Sequence, residues 1–331
     1  MLWTYRPGNL ANPHPPPVSA AAVDLSWFNS YHAYADHLTY LSSLVAQFPN
    51  NAKLFTAGTS YNGRALTGIH IFGSSGAGKK PASIFHGTVH AREWVTTMAT
   101  EYIAYQLLST YSNTTATKTY VDDNDFYILP VVNPDGFVYT QTNTRLWRKN
   151  RQPAPSGSCV GTDANRNWAA HWATTGGAST APCDETYKGS AANSAPEIKA
   201  LSSWQDALQK SQGVKFFIDF HSYSQLLMTP YGWTCSALPA DNTELVALAS
   251  GAAAALKAVH GTTYRSGPIC DTIYKATGGS VDYSYDTTKV KYAFTYELRD
   301  TGNYGFVLPA NQIQPVGRET WASVKYLLDR I

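Results

Sequence analysis

A succession of strand-like runs separated by helical stretches constrains the fold of this chain more than any other feature of its sequence. The runs are Ala52–Gly58, Leu66–Phe72, Ala82–Val89, Phe126–Val132, Phe216–Phe220 and Lys291–Glu297. Helical stretches fall between them, notably Val95–Leu108, Pro196–Gln209 and Thr243–Val259. Apolar residues at Phe28, Tyr31, Leu38, Leu41, Leu44, Val45 and Phe48 predict a further helix over Ser26–Phe48, ended by Pro49. Strands alternating with helices imply an α/β sheet with helices on both faces. No internal repeat is visible, and residues 150–195 are loop-rich in Gly, Ser, Ala and Pro. We read one domain over 24–331 behind a Pro-rich leader or linker over 1–23, where Pro13-His14-Pro15-Pro16-Pro17 favours an extended polyproline conformation.

Composition removes several classes of function. With 331 residues, 44% of them hydrophobic and only 15% charged, the chain can bury a substantial core and is not of disordered type. A net charge of +2 offers no basic patch for nucleic acid. No stretch approaches the roughly 20 apolar residues of a membrane span. The most apolar helical candidate, Leu245–Val259, is broken by Ser250, Gly251 and Lys257. Met1–Arg6 lacks the basic start and apolar run of a signal peptide. Four cysteines allow two disulfides in three pairings, or four free thiols in a cytosolic enzyme. The sequon Asn113-Thr114-Thr115 fits a secreted protein.

Two apolar runs end in metal-ligand residue types. His90-Ala91-Arg92-Glu93 follows Ala82–Phe85, and His221 follows Val214–Ile218. Two imidazoles and a carboxylate are the ligand set of a catalytic zinc site, with a fourth position left open. Ligands at strand ends also sit where open α/β sheets bind. His-x-x-Glu alone recurs by chance, so the rest of the chain has to carry the reading.

It does so in a fixed order: Arg145-Leu146-Trp147-Arg148-Lys149-Asn150-Arg151, Asp163-Ala164-Asn165-Arg166-Asn167-Trp168, then His221, Ile273-Tyr274-Lys275-Ala276-Thr277-Gly278-Gly279, and Tyr296-Glu297-Leu298-Arg299-Asp300. With Asn133-Pro134-Asp135-Gly136-Phe137 added, the chain from about Ser26 onward resembles the zinc metallocarboxypeptidases of the pancreatic carboxypeptidase A/B family. The resemblance implies a single α/β domain with a twisted mixed sheet of about eight strands flanked by helices. It implies one zinc held by His90, Glu93 and His221, and disulfides Cys159–Cys183 and Cys235–Cys270. It also implies a secreted monomer acting on peptide and protein C-termini. Such enzymes are usually made with an inhibitory pro-segment, and none is recognisable here.

The same resemblance distributes roles. Glu297, a carboxylate in an otherwise apolar run, would act as general base toward the zinc water and return the proton to the leaving amine. A salt bridge to Arg299 or a nearby lysine is the competing reading. Arg148 would stabilise the oxyanion. Asn165 and Arg166 would hold the substrate carboxylate, arginine offering a planar fork, and mobile Tyr274 would close over it beside the pliant Gly278 and Gly279. Arg92 and Arg145 match secondary substrate anchors. Asp163 would accept from His90 across its outer ring nitrogen, or simply cap the turn at Ala164-Asn165.

Ile269, Ile273, Ala276, Val281 and Thr295, with Gly232 nearby, would line the pocket for the last side chain. Val281 stands where relatives that cut after lysine or arginine carry an acid, and a buried cation without a partner costs several kcal/mol. Asp282 is expected to point away as a structural residue. The pocket therefore predicts a preference for aromatic or large aliphatic C-terminal residues. The alternatives are a carboxypeptidase B-like basic preference, a zinc amidase or deacylase, and an inactive binding module. The intact ligand and Glu297 positions oppose the last, and an amidase has no need of Asn165, Arg166 and Tyr274.

Overall fold

A computed structural model describes residues 23–331, so the predicted leader up to residue 22, with its polyproline run, lies outside the described residues. The strands form one eight-stranded sheet in the order β1-β2-β4-β3-β5-β8-β6-β7. They are β1 (Ala52–Thr59), β2 (Ala65–Ile71), β3 (Ala82–Gly87), β4 (Asp125–Leu129), β5 (Val214–Ser222), β6 (Leu226–Thr229), β7 (Arg265–Pro268) and β8 (Tyr292–Leu298). The four central strands β4, β3, β5 and β8 run parallel. Their middles read as continuous apolar runs because both faces are covered. The outer pairs β1/β2, β2/β4 and β6/β8 are antiparallel, making the sheet mixed.

Helices cover the two faces unequally. The larger core joins Phe85, Phe216, Ile218, Phe220, Phe294 and Tyr296 to α1 (Tyr34–Gln47), α2 (Trp94–Ser109), a later helix over Asn242–His260 and the C-terminal helix over Ile313–Leu328. The alternate residues Ile84, Phe217 and Ala293 point to the opposite face, where the helix over Pro196–Ser211 supplies Leu208. That second face is where the site is built.

The helix predicted over Ser26–Phe48 is not continuous. Leu25–Asn29 is a 3-10 turn capped by Asp24, and α1 starts only at Tyr34. Tertiary contacts outweigh local spacing here. Trp27 donates to Glu101 at 2.8 Å and stacks between His32 and Tyr40. His32 Nε2 lies 2.7 Å from the Trp27 carbonyl, folding the chain back before α1 begins. The short strands β6 and β7 were not among the sequence-predicted runs. The structure holds disulfides Cys159–Cys183 and Cys235–Cys270 and no free cysteine among the described residues, so the four-thiol reading falls.

Candidate active site

Strand period decides which side chains meet. Successive side chains point to opposite faces, so Asp219 and His221 of β5 share a face, as do Thr295 and Glu297 of β8. The parallel register sets His221 beside Glu297 and Asp219 beside Thr295. His90 and Glu93 arrive from the turn that carries the chain from β3 into α2, with Glu93 as the N-cap residue. The strand order reverses around β3: the chain passes to β4 on one side and then returns to β5 on the other. A crevice at the carboxyl ends of the strands is the expected binding place in such a sheet.

The three candidate ligand groups converge. His90 Nδ1 lies 2.8 Å from Glu93 Oε1. His221 Nδ1 lies 3.1 Å from Glu93 Oε2 and 3.1 Å from His90 Nδ1. All three residues are buried, and one ligand atom from each lies within 4.8 Å of the others. The outer nitrogens are committed elsewhere, His90 Nε2 to Asp163 Oδ1 at 3.1 Å and His221 Nε2 to Asp219 Oδ2 at 3.1 Å. A neutral imidazole that donates at Nε2 carries a lone pair at Nδ1. Two such lone pairs and a carboxylate aimed at one point repel unless a cation lies among them. A tetrahedral ion about 2.0–2.1 Å from each nitrogen separates its ligand atoms by roughly 3.3 Å; the observed 2.8–3.1 Å is a few tenths of an ångström tighter, so small side-chain shifts would admit it.

Electrostatics keep this cluster ionised. Burial pushes the Glu93 carboxyl up, but positive charge on the facing His90 and His221 rings outweighs it and holds it below the usual carboxylate range, a part that passes to a cation once one displaces those protons. Asp163 behaves likewise: burial raises it, and Arg148, His90 and Arg166 hold it well below its ordinary value. Asp219 is lowered against burial, chiefly by His221. Glu297 goes the other way. Burial, reinforced by the Glu93 charge, pushes it up to about 8. Its competing salt bridge is absent, because Arg299 pairs with buried Glu319 at 2.6 Å.

Asp163 does both things expected of it. Besides receiving His90, its Oδ1 accepts from the Asn165 N–H at 2.8 Å, capping the turn. Its Oδ2 accepts from Arg148 Nε and Nη2 at 3.1 and 2.9 Å. Arg148 is thereby fixed at the edge of an open cleft shared with Arg92, Arg166, Glu185 and Tyr274. Arg145 is tied to the backbone of the cleft wall. Its Nη1 holds the Arg92 carbonyl at 2.8 Å, its Nη2 holds the Phe306 carbonyl at 2.5 Å, and its guanidinium stacks 3.7 Å from the Trp94 ring. It braces the wall, with both terminal nitrogens committed to backbone carbonyls. Arg92 lines the cleft, bonded to Leu146 O and Glu185 and lying over Phe306.

The pocket beside the ligands is lined by Ile269, Ile273, Ala276, Val281 and Thr295, with Asn165, Arg166 and Glu297 at its polar end. Asn165 is held by the Ser280 N–H at 2.9 Å and approaches His221 at 3.3 Å. Arg166 donates to the Gly177 and Asn165 carbonyls, both at 2.9 Å. Tyr274 stands at the rim, half exposed, with Arg166 5.8 Å from its ring. Gly278 serves a close approach: at φ +68°, an added Cβ would lie 2.3 Å from the Arg166 carbonyl.

Asp282 corrects an expectation. It does not point away but lines the pocket, where its carboxylate accepts from the Gly232 and Trp233 N–H groups. Those amides occupy it as a wall brace, and burial pushes it up to about 6. Sequence reasoning missed two residues. Asp219 carries the second imidazole, and its only sequence signal was its place two residues before His221 in the same strand. Met228 enters the pocket from β6, a strand too short to read from periodicity.

Residues 37–323 match the model of the zinc carboxypeptidase family. The chain belongs to that family. Metallocarboxypeptidase A of Trichophyton rubrum is 49% identical over 310 residues, covering 94% of this chain and 73% of that protein. Carboxypeptidase A2 of Mus musculus is 42% identical over 304 residues, covering 92% and 71%. Bovine thrombin-activatable fibrinolysis inhibitor, solved in complex with a tick carboxypeptidase inhibitor, superposes with a TM-score of 0.84 at 33% identity, covering 92% of this chain and 98% of that one. This zinc carboxypeptidase is thus a carboxypeptidase A-like exopeptidase of a zinc-dependent family, and its substrates are peptides. No helix among the described residues is long and apolar enough to cross a membrane.

Proposed function

We propose that this carboxypeptidase removes aromatic or large aliphatic residues from peptide and protein C-termini outside the cell. The observation that carries the reading is a single pocket in which an apolar wall, a polar end with Asn165 and Arg166, and the convergent His90, Glu93 and His221 are contiguous. Those three residues would hold one zinc ion. When bound, zinc supplies Lewis acidity and lowers the pKa of an attached water toward about 7.

The chain's own residues do the rest. Glu297 takes a proton from the attacking water and returns it to the leaving amine. Set in the pocket beside His221, with Arg299 taken up by Glu319, its carboxylate has no salt bridge to Arg299 that would compete for the proton it must accept and release. Arg148, held in place by Asp163, donates to the oxygen on which negative charge develops, and it needs no reorganisation to do so. Asn165 and Arg166 receive the free α-carboxylate, and Tyr274 closes from the rim. Arg92 binds the peptide upstream of the scissile bond. Val281, buried on the wall, offers no counter-charge to a lysine or arginine, and Asp282 is already committed to two amides.

Two disulfides support extracellular residence, since such bonds persist in oxidising compartments. An inhibitory pro-segment belongs to the same proposal. The test is hydrolysis of blocked dipeptides ending in Phe, Leu, Lys and Arg, with and without a chelator. Chelator-sensitive cleavage of the Phe and Leu peptides, but not the others, is the expected result. Preference for Arg would refute the pocket assignment and leave the zinc chemistry standing.

A further inference from the structure

We propose that Asn113 is an N-glycosylation site, placed so that its glycan leaves the catalytic face unobstructed. The inference rests on the proposed secretion of the chain. Asn113-Thr114-Thr115 is the one Asn-x-Ser/Thr triplet in the sequence, and its middle residue is not proline. The triplet occupies the turn between α2 and the helix over Thr115–Asp123, and residues 112–116 are all exposed.

Local geometry suits an acceptor. The Asn113 and Thr114 N–H groups both donate back to the Thr110 carbonyl, at 3.1 and 3.0 Å, closing the end of α2. The chain then passes through extended backbone at Thr114, with φ −134° and ψ 130°. The Asn113 side chain itself is lightly held. Its Nδ2 reaches the Ser109 carbonyl only at 3.5 Å, and its Oδ1 takes the Ser112 hydroxyl at 3.2 Å. Distances this long at an exposed site cost little to give up. Modification therefore breaks nothing that the fold depends on.

Position along α2 keeps the sugar away from the chemistry. The helix begins one residue after Glu93 and spans 16 residues. At 1.5 Å per residue it carries the chain roughly 24 Å from the ligands before Asn113 is reached. In the transfer step, Asn113 Nδ2 bonds to C1 of the first N-acetylglucosamine of a polyprenyl-diphosphate-linked oligosaccharide. The C1–O bond to the diphosphate breaks, Nδ2 gives up one proton, and the lipid diphosphate leaves.

The experiment expresses the full chain behind a host secretion signal in yeast and maps peptides before and after treatment with peptide N-glycosidase. Conversion of Asn113 to Asp on treatment is expected, with none at other asparagines. Asn113→Gln and Thr115→Ala should abolish the modification, whereas Thr115→Ser and Thr114→Ala should keep it. The kcat/KM of Asn113→Gln should equal that of the parent. Protein recovered from the medium with both disulfides formed and Asn113 bare would overturn the proposal. The cysteines report on secretion separately: four alkylatable thiols in the protein from the medium would overturn the secretion reading, while the glycosidase mapping still decides Asn113.

Discussion

Replacing Asp163 by Asn changes one atom and removes the charge that joins the metal site to Arg148. Four hydrogen bonds end on this carboxylate. Oδ1 takes His90 Nε2 and the Asn165 N–H, and Oδ2 takes Arg148 Nε and Nη2. An amide can satisfy only one of these sides. With its oxygen toward His90, its NH2 group meets the Arg148 donors, and a buried guanidinium loses its counter-charge. With its oxygen toward Arg148, it presents a donor to His90 Nε2 and the turn amide. In either orientation Arg148 loses its buried counter-charge, at about 3–5 kcal/mol in stability. In the second, loss of the outer-shell acceptor costs about 10–100-fold in metal affinity.

Asp219→Asn separates the two effects, since Asp219 carries His221 but does not touch Arg148. We therefore expect weakened zinc retention in both variants, with a larger fall in kcat for Asp163→Asn alone. Chelator competition would measure zinc affinity, denaturant unfolding would measure stability, and a Phe-ending peptide would report turnover. An Asp163→Asn protein with parental zinc affinity and parental kcat would refute this coupling.

Glu297→Gln should keep the fold and the zinc but lose about 10²–10⁴-fold in turnover, checked by metal analysis beside kinetics. Arg148→Ala should lose on the order of 3 kcal/mol of transition-state stabilisation, felt in kcat. An effect confined to KM would make Arg148 a ground-state anchor instead. Val281→Asp should raise kcat/KM for Arg-ending peptides relative to Phe-ending ones, because a desolvated cation gains a partner. No change in that ratio would mean that position 281 does not face the substrate side chain. Replacing both cysteines of Cys235–Cys270, which closes a loop of sequence separation 35, should cost about 4 kcal/mol in the chain-entropy model. An unchanged denaturant midpoint would contradict that.

Much of the architecture was legible because long central strands are nearly all apolar and amphipathic helices repeat their pattern over several turns. Phe216–Phe220 and Pro196–Gln209 carry enough residues for the pattern to exceed noise. The four-residue strands β6 and β7 do not, and Met228 was lost with β6. The helix over Ser26–Phe48 failed for a different reason. Its apolar spacing is helical, but Trp27 finds Glu101 from 74 residues away, and that bond breaks the helix.

The sequence by itself determined the chemistry available. His90 and Glu93 are three residues apart, and such a separation already confines two ligands to one turn. Glu297 announced itself as a charge in an apolar strand. Whether His221 stands beside Glu297 depended on strand register, which is set by the packing of whole sheets and is written in no local segment. The same holds for the division of labour among charged groups. Nothing local distinguishes Arg148, pinned by Asp163, from Arg145, which serves as a brace under Phe306. Nor does anything local tie Asp282 to the Gly232 amide across 50 residues. Hydrogen-bond partners distant in sequence are chosen by what burial brings within about 3 Å, and only the folded chain makes that choice.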